Sequence, residues 1–236
     1  MTCLNCGKEV QENYCQNCGQ RTDTSRITFK SIVVSFVRTF VEADRGFFYN
    51  IKNLTIAPQK TIIGYIEGKR AGIYPPLSYA AIMITLFVLV DVNFAITPFE
   101  VNQEGIERNP GFNVGKEYGK FLRDNLRYLW YLNIFFFAIS TYLLFQTYNF
   151  AEHVVINAFI FAQAALFAII LYPVLPWPVI ANPIGYGTII PLYILVFRGA
   201  RDLIDRLVFA PISFILGLFL AMVIPASIFI FVKSLF

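Results

Sequence analysis

The stretch Val154–Leu175 reads VVINAFIFAQAALFAIILYPVL, and none of its 22 residues carries a charged side chain. A helix needs about 20 apolar residues to cross the roughly 30 Å hydrocarbon core of a membrane. The whole chain of 236 residues is 57% hydrophobic and 14% charged, whereas soluble domains average about 45–50% apolar and about 25% charged residues. The sequence therefore predicts an integral membrane protein.

Four other stretches are apolar enough to span a membrane. The predicted fold class is an all-α integral membrane protein whose residues 77–236 form a five-helix transmembrane bundle. The predicted spans lie near residues 77–96, 128–147, 154–175, 180–197 and 211–232. Helix-breaking residues crowd the fourth span, which we expect to be either broken or re-entrant if it does not cross fully. These residues are Asn182, Pro183, Gly185, Gly187 and Pro191.

Lysine and arginine are unevenly distributed between the predicted loops. Residues 1–76 contain ten of them, the loop 97–127 contains five and the loop 198–210 contains three. Because cytoplasmic loops are enriched in basic residues, we predict a cytoplasmic N-terminus and an external C-terminus. If the fourth segment did not cross, the loop 198–210 would lie outside and this bias would weaken.

All four cysteines lie near the N-terminus in two C-x2-C-G motifs, made by Cys3, Cys6, Cys15 and Cys18 with their glycines. Each glycine allows a turn in which backbone amides point at the sulfurs. About 20 residues cannot build a hydrophobic core. A bound metal must therefore supply the folding energy, which reaches roughly 10–16 kcal/mol in zinc-finger peptides. We predict that residues 1–21 form a zinc ribbon holding one structural zinc ion.

Other interpretations of the four cysteines are kept open. A mononuclear iron site of rubredoxin type would use the same ligands. Two disulfides would use the same residues, although a cytosolic location disfavours them. Catalytic zinc is disfavoured because four thiolates leave no position for water and the only histidine, His153, lies far away in sequence. Nucleic-acid binding is also disfavoured, because the ribbon has no basic patch.

Residues 26–76 are predicted to form an interfacial, helical linker. Apolar residues recur there at helical spacing after a candidate cap, Thr28: Phe29, Ile32, Val33, Phe36, Val37, Phe40 and Val41. Such an amphipathic helix lies either on the inner leaflet or against the protein's own bundle. Two short helices are expected to follow, around Phe47–Leu54 and from Pro58 to Ile66. Lys69 and Arg70 then suit anionic headgroups or act as topological anchors.

Polar residues cluster at the entrance to the third predicted span: Tyr148, Asn149, Glu152, His153, Asn157 and Gln163. Asn149, His153 and Asn157 are spaced by four residues, so they share one helix face. A functional interpretation makes Glu152 and His153 a proton relay or ligand site. The structural interpretation places Glu152 at a helix N-terminus and uses the other side chains for anchoring and interhelical hydrogen bonds.

Several spaced motifs occur together in a recognisable order. They are the two cysteine motifs, Arg26–Lys30, Asp44–Phe47, Pro58 with Tyr65–Arg70, Pro76 with Ser78–Tyr79, and Tyr148–Asn149 with Glu152–His153. In these motifs the chain resembles a bacterial family of multi-pass membrane proteins of unknown function, with an N-terminal CxxCG…YCxxCGQ zinc ribbon. The resemblance is densest over residues 1–80 and looser to about residue 165. It implies the architecture and a location in a bacterial inner membrane, but no activity.

The chain carries no GxSxG, HExxH or Walker motif. We therefore predict a non-enzymatic scaffold or anchor in the lipid bilayer, whose ribbon docks a cytoplasmic protein or a second copy. One alternative is a transporter or channel for a small or lipidic solute, lined by the broken fourth segment with Asn157, Gln163 and His153. Another is an enzyme acting on lipid-linked phosphate, with Glu152, His153 and arginines in one pocket.

Overall fold

The computed structural model describes ten parts of the chain: residues 2–11, 13–22, 24, 26–32, 46–94, 115, 117–121, 125–174, 183–199 and 202–234. These parts are mainly helical, and they form two isolated β-bridges but no strand. Both bridges lie within residues 2–21, a segment for which we keep the label ribbon. We label their helices α1 Gly46–Ile56, α2 Pro58–Ile66, α3 Pro76–Phe94, α4 Leu126–Phe145, α5 Phe150–Leu171, α6 Pro183–Gly187, α7 Ile189–Val196 and α8 Leu203–Ser234.

Three helices in the described part of the chain are long and apolar enough to cross a membrane. They are α4, α5 and α8, over Tyr128–Phe145, Phe150–Leu171 and Leu203–Lys233. The apolar part of α3, Pro76–Asp91, is shorter. The segment predicted as the fourth span is divided into α6 and α7, with five and eight residues. Neither of these is long enough to cross alone.

Helix α5 is the centre of the protein. Every residue from Ala151 to Ala165 is buried, because α5 is mostly apolar and is surrounded by α3, α4, α7 and the α1–α2 pair. Its start is fixed by a capping box. The Asn149 side chain accepts a hydrogen bond from the Glu152 amide at 2.9 Å, and the Glu152 carboxylate accepts one from the Asn149 amide at 2.7 Å.

Aromatic and polar contacts show how the helices run relative to α5. Helix α3 is parallel to it, since Tyr79 lies near Phe159 and, further along both helices, the Tyr172 hydroxyl donates to Asp91 at 3.5 Å. Helix α4 is antiparallel, because Thr141 near its end contacts His153 near the start of α5. The start of α5 therefore marks one end of the helix array, which we call the ribbon end.

Helix α8 leads away from the ribbon end and leaves most of its surface unpacked. It begins beside the end of α4, where Phe209 meets Phe145 edge to face. It finishes at the opposite end of the array, where Lys233 pairs with Glu117. Its exposed side chains are largely apolar, as Ile204, Ile215 and Met222 illustrate. Such a continuous apolar surface is expected of a helix that faces lipid.

The predicted amphipathic helix is described only at its start. It begins at Phe29, and Thr28 Oγ1 accepts a hydrogen bond from the Ser31 amide at 3.3 Å, as a helix cap does. Phe29 stacks on Phe150 and Ile32 is buried, so this end packs against the bundle. The other predicted positions of this helix lie outside the described residues: Val33, Phe36, Val37, Phe40 and Val41. Asp44, Arg45 and Asn182 also lie outside them.

Candidate metal centre and the polar contacts of the bundle

The four cysteines converge on a single point. Their sulfur atoms all lie within 4.8 Å of one another, with Cys3 and Cys18 3.6 Å apart and Cys6 and Cys15 3.5 Å apart. Four thiolates at about 2.3 Å from a tetrahedral zinc ion stand about 3.8 Å apart. The sulfurs are thus spaced for one metal ion. All four cysteines are free, so the structure does not pair them as disulfides.

Two equivalent turns hold the sulfurs in place. In the first, the Gly7 amide donates to Cys3 O at 2.9 Å and the Cys3 amide to Lys8 O at 2.8 Å. The Gly19 and Cys15 amides repeat this pattern at 2.7 and 2.8 Å. Both glycines have φ near +70°, a conformation that is costly for other residues. The glycine in each C-x2-C-G motif is therefore required by the backbone.

The electrostatics of the turns favour a bound cation. The backbone amide of Lys8 lowers the pKa of Cys6 to about 6. At Cys18, the Gln20 amide acts in the same direction, but burial and the neighbouring thiols Cys15 and Cys3 raise the pKa to about 11. Four thiolates repel one another unless a positive ion balances them. The donor set thus fits a thiophilic divalent metal.

Gln20 joins the ribbon to the turn that follows α2. It is buried, and its side chain donates to Gly68 O at 2.6 Å. It also accepts hydrogen bonds from the Arg70 and Ala71 amides at 2.9 and 3.0 Å. A single side chain therefore satisfies three backbone groups of this turn, and the ribbon is docked on its own chain.

Leu4 supports the same contact by shape. Gly68 has φ +106°, and a Cβ atom added to it would lie 2.7 Å from Leu4 Cδ1 and 3.3 Å from Thr24 Cγ2. Only glycine fits here, both for its backbone conformation and for the close approach of Leu4. The glycine that follows α2 thus receives the ribbon.

Glu152, a candidate functional carboxylate, is committed to two structural contacts. Besides closing the capping box of α5, it binds the Arg26 guanidinium through both oxygens, at 3.0 and 3.2 Å. The hydrogen bond and charge of Glu152 raise the pKa of Arg26. The side-chain amide of Asn149 donates from Nδ2 to Ile27 O at 3.2 Å. The linker thereby lies over the start of α5, which agrees with the structural interpretation of Glu152.

His153 and Asn157 belong to a second, separate network inside the bundle. His153 Nδ1 lies 3.0 Å from Thr141 Oγ1, and Asn157 Nδ2 donates to the same hydroxyl at 3.0 Å. The Tyr193 hydroxyl donates to Asn157 Oδ1 at 2.5 Å. The His153 ring stacks on Phe197, with centroids 5.7 Å apart. This network joins α4, α5 and α7, as interhelical hydrogen bonds do in lipid.

Of the two remaining predicted residues, Gln163 lies apart from both networks, whereas Tyr148 contacts the second. Gln163 Nε2 donates to Thr55 Oγ1 of α1 at 2.7 Å, and Gln163 Oε1 is buried without a partner among the described atoms. The Tyr148 ring lies edge to face against the His153 ring. Burial, and to a smaller extent the charges of Glu67 and Glu152, raise the pKa of Tyr148. The six predicted residues thus form three groups and do not converge on one pocket.

Lys69 and Arg70 differ although they are adjacent. Lys69 is exposed. Arg70 is half-buried, donates from Nε to Tyr65 O at 3.3 Å and lies over the Tyr65 ring at 5.5 Å. Headgroup binding by the pair stays a prediction, but Arg70 also supports α2.

Four residues that hold these contacts were not selected from the sequence: Gln20, Arg26, Thr141 and Tyr193. Gln20 and Arg26 belong to the motifs that carry the family resemblance, which is a signal that could have selected them. Thr141 and Tyr193 lie 16 and 36 residues from Asn157. No local pattern connects them.

Comparison with known proteins gives one match. Residues 44–88 match the model of a family described as a protein of unknown function (DUF3667). The match covers α1, α2 and most of α3, which is less than half of the chain. No curated protein and no solved structure matches the chain.

Proposed function

We propose that this protein is a non-enzymatic scaffold or anchor of a bacterial inner membrane, with a structural zinc ribbon that docks a cytoplasmic protein or a second copy. One observation carries the proposal: the chemistry-bearing side chains of the described residues are used to hold the protein together. Glu152 is occupied by its capping box and Arg26, and His153 lies in a different network. An enzyme acting on lipid-linked phosphate would need these groups in one accessible pocket.

The proposed topology has five crossings, a cytoplasmic N-terminus and an external C-terminus. It is supported by the alternating directions of the helices, because α3, α5 and α8 lead away from the ribbon end while α4 returns to it. The excess of basic residues in 1–76 supports the same orientation. Fusions of alkaline phosphatase and of green fluorescent protein to the C-terminus would test it. Phosphatase activity without fluorescence is expected, and the reverse would contradict an external C-terminus.

The proposed docking surface is the side of the ribbon that faces away from the bundle. Leu4 and Gln20 contact the turn after α2. Tyr14, in contrast, is exposed, and the Arg21 guanidinium lies 5.9 Å from the centroid of the Tyr14 ring. Four thiolates close the metal site, so zinc would serve folding rather than catalysis.

The docking role can be tested by comparing the full-length protein with its Cys15→Ser variant. In nanodiscs, the wild type is expected to show an oligomer or a cross-linked cytoplasmic partner that Cys15→Ser loses, because the ribbon unfolds without metal. Gln11→Ser changes an exposed ribbon residue and serves as the control. An unchanged oligomeric state and cross-linking pattern in Cys15→Ser would contradict docking by the ribbon. Metal analysis of the wild type separates zinc from iron.

A transporter or channel is the second candidate, and two observations favour it. The broken α6–α7 segment packs beside α5, where Tyr193 binds Asn157, and broken helices often line transport sites. In addition, His153 Nε2 and Gln163 Oε1 are buried without partners among the described atoms. Solute flux into proteoliposomes that Asn157→Leu abolishes would favour transport over scaffolding. Equal flux with wild-type protein and empty liposomes would count against it.

A further inference from the structure

Helices α1 and α2 form a short hairpin that cannot cross a membrane. At about 1.5 Å per residue, their 11 and 9 residues extend about 16 and 14 Å, whereas the hydrocarbon core is about 30 Å thick. Ala57 alone separates them. The family match at 44–88 includes the whole hairpin.

Both ends of the hairpin return to the ribbon end. At the start of α1, the buried Asn50 side chain donates to Tyr74 O at 3.0 Å and accepts from the Tyr74 amide at 3.1 Å. Gly46 approaches the same stretch of backbone so closely that an added Cβ would lie 3.0 Å from Tyr74 N. After α2, Gly68 receives the ribbon. The hairpin therefore enters and leaves on one side.

The turn of the hairpin lies at a level inside α5. Thr55 Oγ1 accepts a hydrogen bond from Gln163 at 2.7 Å. Gln163 follows the first residue of α5, Phe150, by 13 residues, which corresponds to about 20 Å along the helix. If α5 crosses the membrane, as proposed above, a group bonded to Gln163 lies within the bilayer and not on its surface.

The turn of the hairpin makes several internal hydrogen bonds, which lower the cost of placing its backbone in hydrocarbon. The Ala57 amide donates to Asn53 O at 2.8 Å, and Pro58 has no amide hydrogen. Threonine hydroxyls add hydrogen bonds to carbonyls of α1 and of the turn: Thr55 donates to Ile51 O at 2.7 Å, and Thr61 donates to Ala57 O at 3.0 Å and Asn53 O at 3.3 Å.

The outward face of α1 is apolar at both ends. Phe48 is 76% exposed and Ile56 is 72% exposed. Lys52 lies between them on the same face, and Lys60 is exposed on α2. The long aliphatic part of a lysine can run along apolar surface while its ammonium group reaches the phosphates. Acyl chains therefore fit Phe48 and Ile56, and anionic headgroups fit the lysines.

From these contacts we infer that Gly46–Ile66 is a re-entrant helical hairpin that enters the membrane from the cytoplasmic side and places its turn in the acyl-chain region. The inference rests on the proposed membrane crossing of α5. It assigns to the family-matched segment a physical role, which is to enter the bilayer beside the bundle without crossing it. Its lipid contacts are made by Phe48 and Ile56, and Lys52 and Lys60 limit how deeply it enters.

The test measures tryptophan quenching by brominated lipids in the full-length protein. Each variant carries Trp177→Phe and one new tryptophan, and is reconstituted in phosphatidylethanolamine–phosphatidylglycerol vesicles. The new tryptophan is Phe48→Trp, Ile56→Trp or, as a lipid-facing reference on α8, Phe219→Trp. Phe219 is 58% exposed, and the buried Trp130 is a background common to all the variants. The emission of the Phe48→Trp and Ile56→Trp variants is expected to fall by as large a fraction as that of Phe219→Trp. Ile56→Trp is expected to respond more to bromine deep in the chain, and aqueous acrylamide to quench all three weakly.

Matched controls separate the outcomes. Phe47→Trp lies one residue away on the packed face, against Tyr74 and Tyr79, and is expected to be quenched less. Strong acrylamide quenching of Phe48→Trp and Ile56→Trp beside normal lipid quenching of Phe219→Trp would overturn the hairpin alone. Protection of both from lipid and acrylamide would also overturn it, in favour of a second copy on this face. Absence of lipid quenching at Phe219→Trp would instead overturn the proposed membrane bundle.

Discussion

The ribbon and the polar face of α5 both gather chemically capable side chains, but only the ribbon brings them to one point. Its four sulfurs lie within 4.8 Å of one another. On α5, Glu152, His153 and Gln163 each bind a different neighbour, namely Arg26, Thr141 and Thr55. The difference shows that residues close in sequence form a site only when their side chains point to a common centre.

The largest expected effect is on the ribbon, where one change removes the common centre. Cys6→Ser is expected to reduce the bound metal from one ion per chain to none and to unfold residues 1–21, because metal supplies roughly 10–16 kcal/mol in comparable sites. Elemental analysis and proteolysis of the N-terminal region would measure this. Gln11→Ser is the control. Retention of one ion by Cys6→Ser would show that the cysteines do not form a single four-ligand site.

A smaller effect is expected where the ribbon meets the bundle. Gln20→Ala removes the partner of three backbone groups, and it is expected to weaken docking by about 2–3 kcal/mol while metal binding persists. Faster amide exchange at Arg70 and Ala71 would reveal the loss. Gln11→Ala alters an exposed glutamine of the same ribbon and serves as the control. Exchange rates equal to those of the wild type would mean that Gln20 does not hold the turn.

Within the bundle, the network of Asn157 can be opened by removing one hydroxyl. Tyr193→Phe leaves Asn157 Oδ1 without its donor, and we expect a loss of about 1–2 kcal/mol in stability. Thermal unfolding in detergent would record it. Tyr142→Phe removes the hydroxyl from a more exposed tyrosine and should change stability less. Equal effects of the two variants would indicate that the Asn157 contact adds nothing.

The smallest effect is expected for the ion pair over the start of α5. The Arg26 side chain is 69% exposed, so Arg26→Gln is expected to lower the stability only slightly, and salt should reduce the difference. The capping box keeps Glu152 bonded in this variant. Unfolding at low and high salt would measure the effect, with the exposed Lys30→Gln as the control. A salt-independent loss would indicate that packing, not charge, holds Arg26.

The sequence predicted local features better than contacts between distant residues. The C-x2-C-G spacing predicted the sulfur cluster because each turn is made within a few residues, and Thr28 and Glu152 could be placed at helix starts for the same reason. Repeated apolar residues indicated the membrane helices. The contacts of Asn157 with Thr141 and Tyr193 depend on how three helices pack. Lys69 and Arg70 are adjacent and look equivalent in the sequence. They differ in the structure because Arg70 lies over the Tyr65 ring.

Gln20 has a consequence for the geometry of any ribbon-bound complex. Its carbonyl accepts from the Cys15 amide within the metal turn, and its side chain grips the turn after α2. The metal centre and the turn after α2 are therefore joined directly through one residue. A protein bound to the ribbon would thus be held at a fixed distance and orientation relative to α2.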